Sequence, residues 1–108
     1  MQTPLRITFR DMAPSTFIED HVRSRAERLE RLSARITSCH VTLSLPNGFR
    51  HGSHPHVRID LAVPGRDLVV NRDHEDDKGL RDMHACIDAA FADARRILAD
   101  HVRSHRRR

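Results

Sequence analysis

The stretch His56–Val63 reads HVRIDLAV and sets Val57, Ile59, Leu61 and Val63 on every second position. Apolar residues at period two line one face of a strand and leave the other face polar. Pro64-Gly65 follows as a tight turn, and Asp67–Arg72 reads as the returning strand. A hairpin with one apolar face needs a second layer to cover that face. The remaining sequence must therefore provide helices as well as further strands.

It provides both. Leu5–Phe9 alternates as LRITF, a half-buried strand with Leu5, Ile7 and Phe9 inward. Pro14 and Ser15 announce a helix, and Thr16-x-x-Glu19 fits a capping box. Ile18, Val22, Arg25, Leu29, Leu32 and Ile36 then recur at helical spacing, which predicts a first helix over about 15–35. Ser38–Leu45 (SCHVTLSL) is a further strand, closed by the turn signal Pro46-Asn47-Gly48. A polar, His-rich loop runs from Pro46 to Pro55, and an acidic loop from Asp73 to Gly79. Leu80, Met83, Ile87, Phe91, Ala94, Leu98 and Val102 mark a second helix over about 80–105. The order β-α-β-β-β-α predicts an α+β two-layer domain. Its four-stranded mixed sheet carries both helices on one face. A chain of 108 residues suits one such domain with a modest core.

The second helix is too long for its sheet. At 1.5 Å per residue it spans roughly 39 Å, whereas strands of this length reach about 25 Å. The last two turns are expected to overhang, with Val102 the last apolar residue and the final arginines in water. Residues 95–108 carry six arginines against Asp100, a local charge of +5; subtracted from the chain's +4, this leaves −1 for the other 94 residues. The basic balance therefore sits at one end. On the first helix Arg28, Arg31 and Arg35 fall on one shoulder of the apolar stripe, with Arg25 at its margin. On the second, Arg81, Arg95, Arg96, Arg103 and Arg106 form one flank, with Asp82, Asp93 and Asp100 opposite. Two packed helices with segregated basic flanks can build one groove for phosphates, the contacts that position a protein on nucleic acid without reading sequence. Of the 19 cationic residues 18 are Arg, whose fork pairs with phosphate better than Lys does. Phe9, Phe17 and Phe91 are assigned to core or helix-flank packing and Phe49 to the surface. With no Tyr or Trp, a base-stacking platform on the sheet face is not expected. The target is then a folded, double-stranded or ribosomal RNA shape.

Several strings, in this order along nearly the whole chain, resemble one family. Arg25-Ala26-Glu27-Arg28-Leu29-Glu30-Arg31 resembles its basic-x-x-basic-Leu-Glu-basic run. Pro46-Asn47-Gly48-Phe49 is similar to a loop some members carry, and Asp82-Met83-His84-Ala85-Cys86-Ile87-Asp88 looks like its Asp-Met-Tyr-x-Ala-Ile-Asp helix opening. Arg96 and Leu98 also fall on matching residues. The family is that of the ribosome hibernation promoting factors and ribosome-associated translation inhibitors, also known as sigma-54 modulation proteins. The resemblance implies a non-enzymatic silencing factor. It would bind the small ribosomal subunit, or the 70S ribosome, in the mRNA and tRNA channel and inactivate idle ribosomes under stress. The helix arginines would touch ribosomal RNA. At this length the chain is similar to the short form, without the C-terminal dimerisation domain of long members. His84 stands where the family usually has Tyr, and Asp93 and Asp100 where it prefers Lys.

Other classes have thinner support. His51, His54 and His56 put three imidazoles in one loop, but a structural zinc site takes four ligands and no Cys joins them. No metal or other cofactor is expected. No GxGxxG, P-loop, nucleophile elbow or HExxH is present, so no catalytic residues are assigned. A protein-binding regulatory module is the alternative that composition leaves open. Cys39 and Cys86 lie in apolar patterns without a CxxC and read as reduced, buried residues. With no signal peptide and no apolar run long enough to span a bilayer, the cytoplasm is the expected location.

Overall fold

The computed structural model describes residues 4–32, 35–45, 55–73 and 80–106, with side chains described for 83–104 of the last segment. The elements are β1 (Leu5–Arg10), α1 (Thr16–Leu32), β2 (Ser38–Ser44), β3 (His56–Val63), β4 (Arg66–Asp73) and α2 (Leu80–Arg106). The sheet order is β1-β2-β3-β4. β1 pairs with β2 in parallel and the other pairs are antiparallel, so the sheet is mixed as the element order predicts. The PNGF turn, Phe49, His51 and His54 lie outside the described residues, as does most of the acidic loop.

Register explains the two faces. Ile7 pairs with Val41, Val41 with Ile59, and Ile59 with Val70. Partners across a ladder share a face, so these four and their period-two neighbours form one apolar floor. Val41, Leu43, Val57 and Ile59 on that floor are fully buried. Leu5, Ile7 and Phe9, on the edge strand, pack only partly against it. The other face is polar. Thr8 Oγ1 lies 2.9 Å from His40 Nε2, Arg58 forks onto Asp60 and His56 pairs with Asp73. The β3–β4 turn places Gly65 at φ +89° with Pro64 before it, the type II arrangement in which the third residue must take a positive φ. A Cβ there would meet nothing within 4 Å, so the backbone angle alone calls for glycine.

Both helices close the apolar face. The first is capped by Ser15: its Oγ accepts from Ile18 N at 3.3 Å and its carbonyl from Glu19 N at 2.9 Å. The predicted Thr16–Glu19 box is not used, because the Glu19 carboxylate pairs with Arg23 instead. Ile18, Val22, Ala26 and Leu29 are the buried stripe of α1. Leu32 is 42% exposed, Ile36 is buried beyond the helix, and Arg35 lies in a turn after it rather than on it. In α2 the buried residues run from Met83 to His101, a rise of about 27 Å that matches an eight-residue strand. Among the described residues the last buried position is His101, one residue before Val102, and Arg103 and Ser104 are exposed beyond it. Both cysteines are buried and neither is in a disulfide. Burial, with a smaller contribution from Asp60, pushes the Cys39 thiol up to about 12, so it stays neutral and unreactive at ordinary pH.

Candidate nucleic-acid interface

The two helices run side by side in the same direction. α1 follows β1 and α2 follows β4, and these strands point the same way in the sheet. Contacts along the seam advance together: Phe17 meets His84, His21 meets Asp88, and Arg25 meets Asp88. Where the seam widens it becomes a groove of about 450 Å³. Arg25, Arg28, Leu29, Arg31 and Leu32 of α1 line one wall, and Asp88, Phe91, Ala92 and Arg95 of α2 the other. Four arginines thus converge on one apolar-floored cleft that holds one carboxylate. No described residue sets a carboxylate against Arg28, Arg31 or Arg95. Exposed guanidinium forks held this way offer bidentate donors to phosphate.

The remaining predicted residues are distributed differently. Helical spacing predicts Arg96 and Arg103 opposite the acids of α2. In the structure Arg96 Nη2 lies 3.7 Å from Asp93, and Arg103 pairs with Asp100 three residues before it. Spacings of three on a helix put side chains on neighbouring rows, so these acids share the flank of those arginines. Asp93 also accepts from Arg72 Nη1 at 3.0 Å. Arg72 stands in register with Val57 on the helix-facing side of β4, so Asp93 ties the sheet edge to α2. Arg81 and Arg106 lie within α2, but their side chains are outside the described part. Of the histidine candidates only His56 is described, and it pairs with Asp73; the described residues hold no cluster of three metal-ligating side chains.

Asp88 is a site residue that the sequence does not announce. It accepts from Arg25 Nε at 2.7 Å and from His21 Nε2 at 2.8 Å. Partial burial works to raise its carboxyl, but the hydrogen bonds from Arg25 and His21 outweigh this and hold it below the ordinary aspartate range. A depressed folded value means the tie contributes above the unfolded carboxylate pKa of about 3.9 and is lost only as pH falls through the lower folded value. Asp88→Asn is expected to cost at most about 1 kcal/mol, since the pair is partly exposed. It should tighten binding to a polyanion several-fold, because Arg25 is released and one negative charge leaves the groove; titration against RNA at fixed salt reads this directly. Unchanged or weaker binding would mean that Arg25 needs Asp88 to hold its position.

Phe17 also departs from expectation. It is 70% exposed rather than packed away, with its ring centroid 5.1 Å from that of His84.

A sequence model for the family described as "Sigma 54 modulation protein / S30EA ribosomal protein" matches residues 5–106. No curated protein sequence matches the chain. Among solved structures, a ribosomal subunit interface protein from Coxiella burnetii is similar at 13% identity and TM-score 0.71, over 92% of this chain and 97% of that one. The N-terminal domain of Protein Y from Thermus thermophilus is similar at 24% identity and TM-score 0.66, over 88% and 92%. At such identities the two structures bear on the fold alone.

Proposed function

This chain belongs to the Sigma 54 modulation protein / S30EA ribosomal protein family, and from that premise we propose that it is a non-enzymatic factor that binds the small ribosomal subunit and silences translation on idle ribosomes. The observation that carries this reading is the groove between α1 and α2, with Arg25, Arg28, Arg31 and Arg95 around one cleft. Ribosomal RNA is a folded polyanion, and a row of guanidinium groups along two parallel helices suits its backbone phosphates. The Coxiella burnetii neighbour is described as a ribosomal subunit interface protein, which agrees with a site reached from the subunit interface, where mRNA and tRNA pass. On the sheet's open face Arg58 and His56 are occupied by Asp60 and Asp73, and the arginines left there, Arg6 and Arg10, stand along one edge strand rather than around a cleft. Arg103 and Arg106–Arg108 would add a looser electrostatic anchor at the helix end. In this reading the protein works in the cytoplasm and needs no cofactor.

Sedimentation with 70S ribosomes and separated subunits across a salt series tests the proposal. The protein is expected to pellet with the small subunit and to lose affinity steeply between about 50 and 200 mM salt, as phosphate contacts release counterions. A protein that stays in the supernatant at low salt, or binds without salt dependence, would overturn it.

A further inference from the structure

At the head of the helix seam three flat rings form a ladder. Phe17 tilts against His84 at 38°, and His84 stacks on His21 with centroids 4.8 Å apart and planes at 27°. His21 is fixed from below by its hydrogen bond to Asp88, which also holds Arg25 at the mouth of the groove. The ladder therefore starts in solvent at Phe17 and ends at the basic cleft. Phe17 and Arg28 are eleven residues apart on α1, about 16 Å along the axis and three turns up nearly the same face. Partial burial, reinforced by His21, lowers the basicity of His84 against the opposing pull of Asp88, which favours a neutral ring beneath Phe17.

We propose that the Phe17–His84–His21 ladder is a stacking site for one unpaired nucleobase, whose strand continues past Arg25 to Arg28 in the groove. This rests on the RNA-binding reading above and adds a contact to a base where that reading has only phosphates. An exposed aromatic face is indifferent to base identity and supplies binding that salt does not screen. A protein partner fits less well. The other large apolar residues exposed among those described are Leu32, fifteen residues further along α1, and Val69 on β4. A single exposed ring at the head of a basic groove is not the contiguous apolar patch that marks a protein interface.

The test uses two labelled single-stranded RNAs of equal length, one a ten-residue oligoadenylate and the other an abasic ribose-phosphate chain of the same charge. The full chain is expected to bind the oligoadenylate about tenfold more tightly. Phe17→Ala should remove that advantage while leaving the slope of affinity against salt unchanged. Phe17→Leu keeps apolar bulk without a flat ring and should bind like Phe17→Ala. In the wild type, 2-aminopurine placed in the oligoadenylate should be quenched on binding, and in neither variant. Equal affinity for the two RNAs in the wild type, or full binding and quenching by Phe17→Leu, would overturn the ring site. Salt-dependent binding of the abasic chain in that case would leave the groove reading standing; failure to bind either RNA at low salt would overturn the ring site, and would overturn the groove reading too only if the protein also fails to pellet with ribosomes. Phe17 is mostly in solvent, so neither variant should unfold, and circular dichroism verifies this.

Discussion

Arg28→Glu/Arg95→Glu is expected to release the protein from ribosomes, with a loss of affinity of at least about a hundredfold at moderate salt. The two side chains face each other across the groove from different helices, both are exposed, and no described carboxylate holds either. Each reversal deletes a charge-assisted hydrogen bond to phosphate, worth about 1.5–3 kcal/mol, and adds repulsion. Two together exceed the roughly 2.7 kcal/mol that a hundredfold change requires. The slope of log affinity against log salt should also flatten by about two, one for each lost phosphate contact. Stability should barely move, because neither residue is buried. Arg58→Glu on the open face is the matched control and should bind nearly as wild type. Ribosome binding that survives the double reversal would displace the interface from the groove, and Arg96→Glu/Arg103→Glu would then be the next pair to test.

The largest effect on stability is expected from Ile59→Ala. Ile59 lies in the middle of β3, fully buried, with Val41 and Val70 as its ladder partners on either side. Truncating a core aliphatic of this kind costs about 2–5 kcal/mol, from lost transfer energy and the cavity left behind. A domain of this size has about 5–15 kcal/mol in all. At roughly 4–8 °C per kcal/mol for small domains, the melting temperature should fall by about 8 °C or more in calorimetry. By contrast Phe17→Ala should stay within about 0.5 kcal/mol of wild type, as surface substitutions do. An Ile59→Ala melt within a few degrees of wild type would mean that the helices relax onto the sheet and refill the space.

Part of the site is legible in the sequence. Arg25, Arg28 and Arg31 recur every three residues on a helix, so their shared shoulder follows from helical geometry alone. That Arg95 faces them follows from the α1–α2 pairing, which periodicity does not specify. Asp88 closes the helix-opening string in the sequence, but nothing local there ties it to His21 and Arg25, which are more than sixty residues away. The spacings Phe17-His21-Arg25 and His84-Asp88 are the signals that point to the seam, each placing side chains on one helix face. Asp93 reads in the sequence as an acid on the flank opposite the arginines, yet Arg72 from the sheet edge and Arg96 both meet it.

The elements and their order were determined by the sequence alone. Alternation at period two and recurrence at 3.6 are local consequences of backbone geometry, and they decide which face of each strand and helix is apolar. Rise per residue likewise predicts that α2 outruns its strands. Only the tertiary structure decided which charges meet. Charged side chains are long, lie outside the core and gain little from any one partner, so their pairing is set by where packing brings the helices together. Burial of the apolar stripes set the two helices parallel and side by side. That placement put Arg95 opposite Arg28, gave Asp88 to Arg25 and His21, and left the Phe17 ring in water.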